Sequence, residues 1–314
     1  MLYNNLSKFI LHSTSIYASR TLIHNPFHSY LDLRRLSDNY LWVLQNNNVK
    51  KGERICAVED KSINWIALML ASWRNGNIFV PLANNYNNEQ YNKIIKKVDP
   101  VIIFNGTYYN ETDNYLDKKV SDIRIINDYT NKCDTFMNDP ALILFTSGST
   151  NDPKGVVLTH HNIKSNLDMI DKLYNTHITE KDTSYSLLPW NHCYGLVCEL
   201  LYLIMKGGSF YITDQKIKTP QEKFKDLRSK SPTLVYTVPK MLETIYRKRI
   251  NLVDYCVPKS VKRKLVFGDN IRMISVGGSK CNPELIEYFD RNYGIQVYQG
   301  YGMTETSPMI SLNS

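Results

Sequence analysis

No run approaches the roughly 18 uncharged apolar residues that a membrane-spanning helix needs. The most apolar window, GLVCELLYLIMKGG at 195–208, carries Glu199 and Lys206 and reads as a core helix. No Cys/His finger spacing, no H-E-x-x-H and no Ser/His/Asp arrangement can be traced. His160 and His161 are adjacent, so on a helix they diverge, which is poor metal-ligand geometry. The six cysteines, Cys56, Cys133, Cys193, Cys198, Cys256 and Cys281, lie far apart and mostly in apolar segments. That spacing excludes a disulfide framework and reads as reduced core thiols in a cytoplasmic setting. No acidic residue precedes Asp32, and the opening MLYNNLSKFILHSTSIYASR has hydroxyls and two basic residues. It is poor in Arg and runs into an ordinary helical pattern. A plain first helix is expected, with mitochondrial targeting or a membrane-peripheral position as the alternatives.

What is present is enough for a substantial core: 314 residues, 43% apolar. Lys and Arg number 38 against 30 Asp and Glu, a net charge of +8 that helps attract anions. The basic residues are scattered, with short clusters only at 94–97 and 260–264, so no nucleic-acid partner is expected. No internal repeat is visible. Short apolar runs alternate with helical patterns: IFVPL (78–82), VIIF (101–104), ALILF (141–145), SYSLL (184–188), TLVYTV (233–238), IRMISV (271–276) and IQVYQ (295–299) read as strands. Helices are expected at 62–76, 161–172 and 195–206, and over PKMLETIYRKR and NPELIEYFDRNYG. The alternation predicts an α/β fold of layered, mostly parallel sheets flanked by helices. The polar stretch 110–140 marks a seam, giving a first α/β subdomain at 1–135 and a second at 136–314.

Three stretches carry chemistry. After ALIL comes FTSGSTNDPKG (145–155). Hydroxyls donate to phosphate oxygens, glycine lets backbone N–H groups converge, and Lys154 adds a point charge. It is not a Walker A loop, since the neighbours of Lys154 are Pro153 and Gly155. Read alone, it is as well explained by an ordinary turn. GGSKCNPELIEYF (277–289) follows a strand with Gly277 and Gly278, and Asn282 and Pro283 can open a helix. In YQGYGMTETSP (298–308) Tyr301 sits between Gly300 and Gly302, placed to stack from an exposed loop. Thr304 can donate to a phosphate oxygen, and Glu305 can hold a hard cation such as Mg²⁺. LPWNHCYGL (188–196) puts His192 between a strand and an apolar helix, where it is either packed or lines an apolar channel with Trp190 and Tyr194.

In combination these motifs resemble the adenylate-forming (AMP-binding) superfamily, most closely an acyl-CoA synthetase or fatty-acid–CoA ligase. The family loop T-S-G-[ST]-T-G-x-P-K-G stands here as TSGSTNDPKG (146–155), with Asn151 where glycine is usual. Its LP-x-x-H-x-x-G stretch is LPWNHCYG (188–195), its GG turn is Gly277-Gly278, and GYGMTE is unaltered at 300–305. The resemblance spans about 30–310 and implies the fold of the large N-terminal domain of such an enzyme, truncated. It implies that Thr146, Ser147, Gly148, Ser149, Thr150 and Lys154 line the ATP phosphates. Gly277, Gly278 and Ser279 would border adenine, and Tyr301, flanked by Gly300, Gly302 and Met303, would pack on it. Thr304 would meet the α-phosphate, Glu305 the Mg²⁺, and His192 would stand where acyl carboxylate, phosphate and pantetheine meet. Lys154, His192, Thr304 and Glu305 are the expected catalytic residues. ATP and Mg²⁺ are the expected cofactors, CoA the co-substrate and a small carboxylic acid the substrate. The expected activity is ATP-dependent formation of acyl-AMP and transfer to CoA, in the full-length context. The alternatives are a catalytically incomplete nucleotide-binding relict or interaction protein and, less favoured, an aryl-acid or amino-acid adenylating domain. The family's TGD-type motif, its basic hinge and its lysine-bearing C-terminal domain are not among these 314 residues. The stretch alone is therefore not expected to complete thioester synthesis. Peripheral contact with a membrane is left open.

Overall fold

The computed structural model describes residues 5–58, 61–104, 135–146, 152–174, 177–213, 217, 219–247 and 257–313. In chain order the strands are β1 (Thr21–His24), β2 (Phe27–Ser29), β3 (Arg54–Val58), β4 (Ile78–Leu82), β5 (Ile102–Phe104), β6 (Pro140–Thr146) and β7 (Lys154–Thr159). They continue with β8 (Thr183–Ser186), β9 (Ser209–Ile212), β10 (Leu234–Thr237), β11 (Met273–Val276), β12 (Gln296–Gly302) and β13 (Met309–Leu312). The α-helices are α1 (Leu6–Ile16), α2 (Tyr30–Asn46), α3 (Ile63–Arg74), α4 (Asn88–Val98), α5 (His160–Tyr174), α6 (Tyr202–Lys206), α7 (Pro220–Lys230), α8 (Pro239–Arg247), α9 (Lys259–Phe267) and α10 (Pro283–Tyr293). A π-helix, Tyr194–Leu201, runs directly into α6.

Local chemistry explains the helix starts. Ser62 caps α3 by accepting from the Trp65 N–H, and Asn282 caps α10 by accepting from the Glu284 N–H, with Pro283 in the first turn. α3 is buried on all sides, as expected of a helix apolar all round. Its last residue, Arg74, is buried too, paired with Asp38 at 2.7 Å and donating to Ser37 Oγ at 3.0 Å.

An eight-stranded sheet has the order β13-β12-β11-β10-β8-β9-β1-β2, and a five-stranded sheet β5-β3-β4-β6-β7. Both are parallel inside and antiparallel only at β1/β2, β12/β13 and β6/β7. The main core lies between the sheets, where α1, α2, α3, α5, the π-helix and α6 bring together Trp65, Trp73, Trp190, Tyr202 and Phe210. A second cluster, built on Phe267, Phe289 and Tyr293, covers the outer face of the large sheet, and a third seats α4 on the small one. These five layers are the α/β arrangement expected from the sequence.

Strands β1, β2, β7, β9 and β13 were not expected, and two of these bear on the site. β7 forms a hairpin with β6, with Phe145 opposite Gly155 and Thr146 opposite Lys154. β13 pairs with β12, with Tyr301 opposite Ser311. Tyr301 therefore stands on a strand end and not on a free loop: pairing with β13 extends β12 through Gly302. Both sheets draw strands from each side of residue 135, since β1 joins the large sheet beside β9 while β6 and β7 complete the small one. Most of the polar seam at 110–140 lies outside the described residues.

Candidate functional site

Because β8, β10, β11 and β12 run parallel, their carboxyl ends share one edge of the large sheet. Ligands of open α/β sheets bind along such edges. Each motif found in the sequence leaves a strand there or on the facing hairpin.

At the end of β11 the Gly277 N–H donates to the Thr237 carbonyl at 3.1 Å. A Cβ on Gly277 would stand 3.2 Å from the Tyr194 ring and 3.4 Å from the Gly300 carbonyl. The residue thus lets the π-helix and β12 close on the strand end. Gly278 follows at φ +82°, in the left-handed region that favours glycine, and Ser279 is exposed beside it. Val238, exposed after β10, flanks Gly278 and was not singled out from sequence.

At the end of β12 the chain makes a closed knot. Gly302 lies so near Pro308 that a Cβ would sit 2.1 Å from the Pro308 carbonyl oxygen. The Met303 N–H donates to that carbonyl at 3.0 Å and to Thr306 Oγ1 at 3.1 Å. Thr304–Thr306 form one tight helical turn, closed by Ser307 at φ +71°. Tyr301 (61% exposed), Met303 and Glu305 project outward, and Thr304 is half-buried.

The turn after β8 brings His192 to the same edge. Its ring lies open to solvent, yet desolvation by the protein around it holds its pKa below the ordinary imidazole value. The neutral ring is thereby favoured over the charged one. The next residue, Cys193, is buried, and its thiol is pushed up by burial, by Cys198 and by the charge of Glu305. The Glu305 turn and the His192 turn are thus electrostatic neighbours. Trp190 is buried in the core, where its Nε1 donates to Ser186 Oγ at 3.1 Å. Leu196–Ile204 are equally buried. Neither reaches solvent: 195–206 is the core segment read from the sequence, and Trp190 does not line the apolar channel that was one of two readings for His192. Beneath the site, Glu199 is fully buried; it accepts from Ser184 Oγ at 2.7 Å and Ser186 Oγ at 3.2 Å, and burial raises its pKa against the pull of Lys61. Tyr194 Oη and Ser275 Oγ are 3.0 Å apart, closing the floor between the π-helix and β11.

The facing wall is the β6–β7 hairpin. Thr146 ends β6, half-buried, and Lys154 opens β7, exposed. β7 lies against the Thr304–Thr306 turn, so Lys154 and Glu305 belong to elements in contact. Ser147, Gly148, Ser149 and Thr150, with Asn151, lie outside the described residues. All other expected site residues fall on the two facing walls. No group of three or more His, Cys, Asp or Glu side chains suited to a metal is present among the described residues. Mg²⁺ needs no such cage, since it keeps several waters and is held through one or two carboxylates plus phosphate. An exposed Glu305 on a turn in contact with the strand that Lys154 opens fits that donor set. Cys56, Cys193, Cys198 and Cys281 are free and buried, and no described helix is long and apolar enough to cross a membrane.

Comparison with known proteins bears on the fold and the family. The long chain acyl-CoA synthetase 6, peroxisomal, of Arabidopsis thaliana is 29% identical over 208 residues, covering 55% of this chain and 28% of its own length. The dapdiamide synthesis protein DdaD of Enterobacter agglomerans is 26% identical over 264 residues, 82% of this chain and 41% of that protein. The chain thus spans less than half the length of these relatives. Among solved structures, the NpsA N-terminal subdomain of Klebsiella oxytoca with 3-hydroxyanthranilyl-AMSN matches with a TM-score of 0.79 at 18% identity, over 99% of this chain and 75% of that one. The N-terminal domain of FACL13 from Mycobacterium tuberculosis matches with a TM-score of 0.80 at 16% identity, over 99% and 78%. The fold is therefore that of the N-terminal domain of adenylate-forming enzymes. The family model described as AMP-binding enzyme matches residues 17–314, and the chain belongs to that family.

Proposed function

We propose that the whole protein activates a carboxylic acid with ATP, forming acyl-AMP, and passes the acyl group to the thiol of CoA. The observation that carries this reading is the meeting of the β6–β7 hairpin, with Lys154 and Thr146, and the Thr304–Glu305 turn, beside Gly277, Tyr301 and His192. A carboxylate is a poor acceptor for a thiol because its leaving group would be oxide. A carboxylate oxygen instead attacks the α-phosphorus, the bond to pyrophosphate breaks, and acyl-AMP remains. Thiol attack at the carbonyl then expels AMP.

In this reading Tyr301, exposed at the strand end, stacks on adenine, with Gly277 and Gly278 allowing close approach of its plane. Lys154 and the Thr146 hydroxyl take the outer phosphates, and Thr304 donates toward the α-phosphate. Glu305 would hold Mg²⁺, which when bound neutralises phosphate charge. These fixed groups act by positioning and charge compensation. The lowered pKa of His192 leaves a ring nitrogen free to accept a hydrogen bond at the meeting point of acid and thiol.

The acid is read as fatty, in keeping with the acyl-CoA synthetase relatives. One observation favours a second reading, a compact aryl or amino acid: the Tyr194 ring fills the space against Gly277 and is fastened to Ser275. The test is acid-dependent pyrophosphate exchange by the full-length protein over a panel of acids. A fatty-acid site gains roughly 0.8 kcal/mol per buried CH₂, so kcat/KM should climb steeply from acetate to octanoate. Equal values, with a preference for aryl or amino acids, would select the compact reading. No exchange with any acid would overturn both.

A further inference from the structure

We propose that Asn166 is the positioning residue that sets the Thr304–Glu305 turn against the Lys154 hairpin. Asn166 lies on α5 and is buried. Its Nδ2 donates to the Thr306 carbonyl at 3.2 Å and to the Met309 carbonyl at 2.9 Å, and its Oδ1 accepts from the Met309 N–H at 3.3 Å. One side chain thus grips the backbone on both sides of the Ser307–Pro308 corner. An amide suits the task, because it supplies two donors and an acceptor at once. Aspartate would set a carboxylate oxygen against two carbonyls.

The other end of the connection is equally fixed. α5 starts at His160, directly after β7 ends at Thr159. The joint is fastened reciprocally: the Thr159 N–H and hydroxyl donate to Asn162 Oδ1 at 3.0 and 2.9 Å, and the Asn162 N–H donates to Thr159 Oγ1 at 3.1 Å. Lys154 opens that same strand. A short rigid path therefore runs from Lys154 along β7 into α5 and through Asn166 to the turn bearing Thr304 and Glu305. It crosses from the small sheet to the large one. Groups that must meet one polyphosphate have to be held to within a fraction of an ångström, and this side chain holds their spacing. The inference rests on the reading of these loops as a nucleotide site.

The test uses the full chain, with Asn166→Ser and Asn166→Asp beside a control, Asn77→Ser. Asn77 is likewise a buried asparagine, bonded to the Lys50 carbonyl at 2.6 Å, but it stands just before the start of β4, away from the carboxyl edge. Calorimetry with ATP and Mg²⁺ gives affinity, hydrogen exchange gives the opening of the turn, and thermal unfolding gives Tm. Both Asn166 variants should bind MgATP at least tenfold more weakly. Their Met303 and Thr306 amides, which do not bond Asn166, should exchange at least tenfold faster. The control should lose comparable Tm and change neither. Exchange at Met303 and Thr306 within twofold of wild type would overturn the inference. So would unchanged MgATP affinity, or an equal loss of affinity in the control. Absence of MgATP binding in the wild type would defeat the nucleotide reading instead, and exchange alone would then decide whether Asn166 holds the turn. If one Asn166 variant does not fold, the other decides.

Discussion

At the end of β11 the chain turns through Gly277, Gly278 and Ser279 with one backbone bond to Thr237 and a left-handed glycine; at the end of β12 it turns through Gly302–Pro308 with a knot of backbone and threonine bonds gripped from outside by Asn166. In the proposed nucleotide site the first turn needs only room for a flat ligand to lie close. The second carries Thr304 and Glu305, side chains that must be aimed. Where only shape matters, the absence of a Cβ suffices; where charge must be placed, hydrogen bonds over-determine the backbone.

That contrast breaks first at Glu305. In the complete enzyme Glu305→Ala should slow adenylation by roughly 10²–10³ while leaving Tm nearly unchanged, because the side chain is exposed. Pyrophosphate exchange at modest Mg²⁺ is the measurement, and a near-wild-type rate would remove Glu305 from the metal role. Next comes Gly302→Ala, whose new Cβ meets the Pro308 carbonyl at 2.1 Å, a backbone atom that cannot swing aside. A loss of about 3 kcal/mol in urea unfolding is expected.

Acidification should also strain the second turn more than the first. α5, which carries Asn166, opens on His160, fully buried, with neither ring nitrogen bonded among the described residues. Desolvation lowers its pKa from 6.5 to about 4, against the pull of Asp139. The unfolded chain therefore takes up this proton first as pH falls. Stability is full above 6.5 and drops progressively toward 4, by up to about 3 kcal/mol. Urea midpoints at pH 7 and pH 5 should differ, and His160→Leu should flatten this part of the slope. Hydrogen exchange at 303–306 should rise ahead of exchange at 277–279. The smallest effect is expected at Gly278→Ala. The nearest atom to its Cβ, Val238 Cγ1, is 3.6 Å away, so only the positive φ is penalised, by about 1 kcal/mol. A loss as large as that of Gly302→Ala would erase the distinction between the turns.

Much of this site was legible in the sequence because each motif sits where an apolar run ends. ALILF, IRMISV and IQVYQ announce strands, and the glycines after them announce close approach. β7 was missed because KGVVLT is short and Val157 points into solvent, which masks the half-buried alternation; the β-branched pair Val156-Val157 was the signal available. β13 was missed for the same reason, with Ile310 exposed. Between the two readings of His192, packed or lining an apolar channel with Trp190, the sequence could not decide, because an apolar neighbourhood reports burial and cannot tell a core from a lining. Asn166 gave no signal at all: a polar residue in HHNIKSNLDM reads as solvent face, and only the returning backbone of 306–309 makes it a buried partner.

The place of β1 in the large sheet also bears on how the protein is made. Ile23 pairs with Phe210 in a parallel ladder, between β9 and the edge strand β2. β1 is made before β9 and must therefore wait for it before it finds its sheet. Non-local parallel pairings of this kind fold slowly and leave apolar strands uncovered meanwhile. Leu22 and Ile23, buried in the finished protein, are then a transient sticky segment on the nascent chain. Their shielding during synthesis therefore bears on how much protein reaches the folded state.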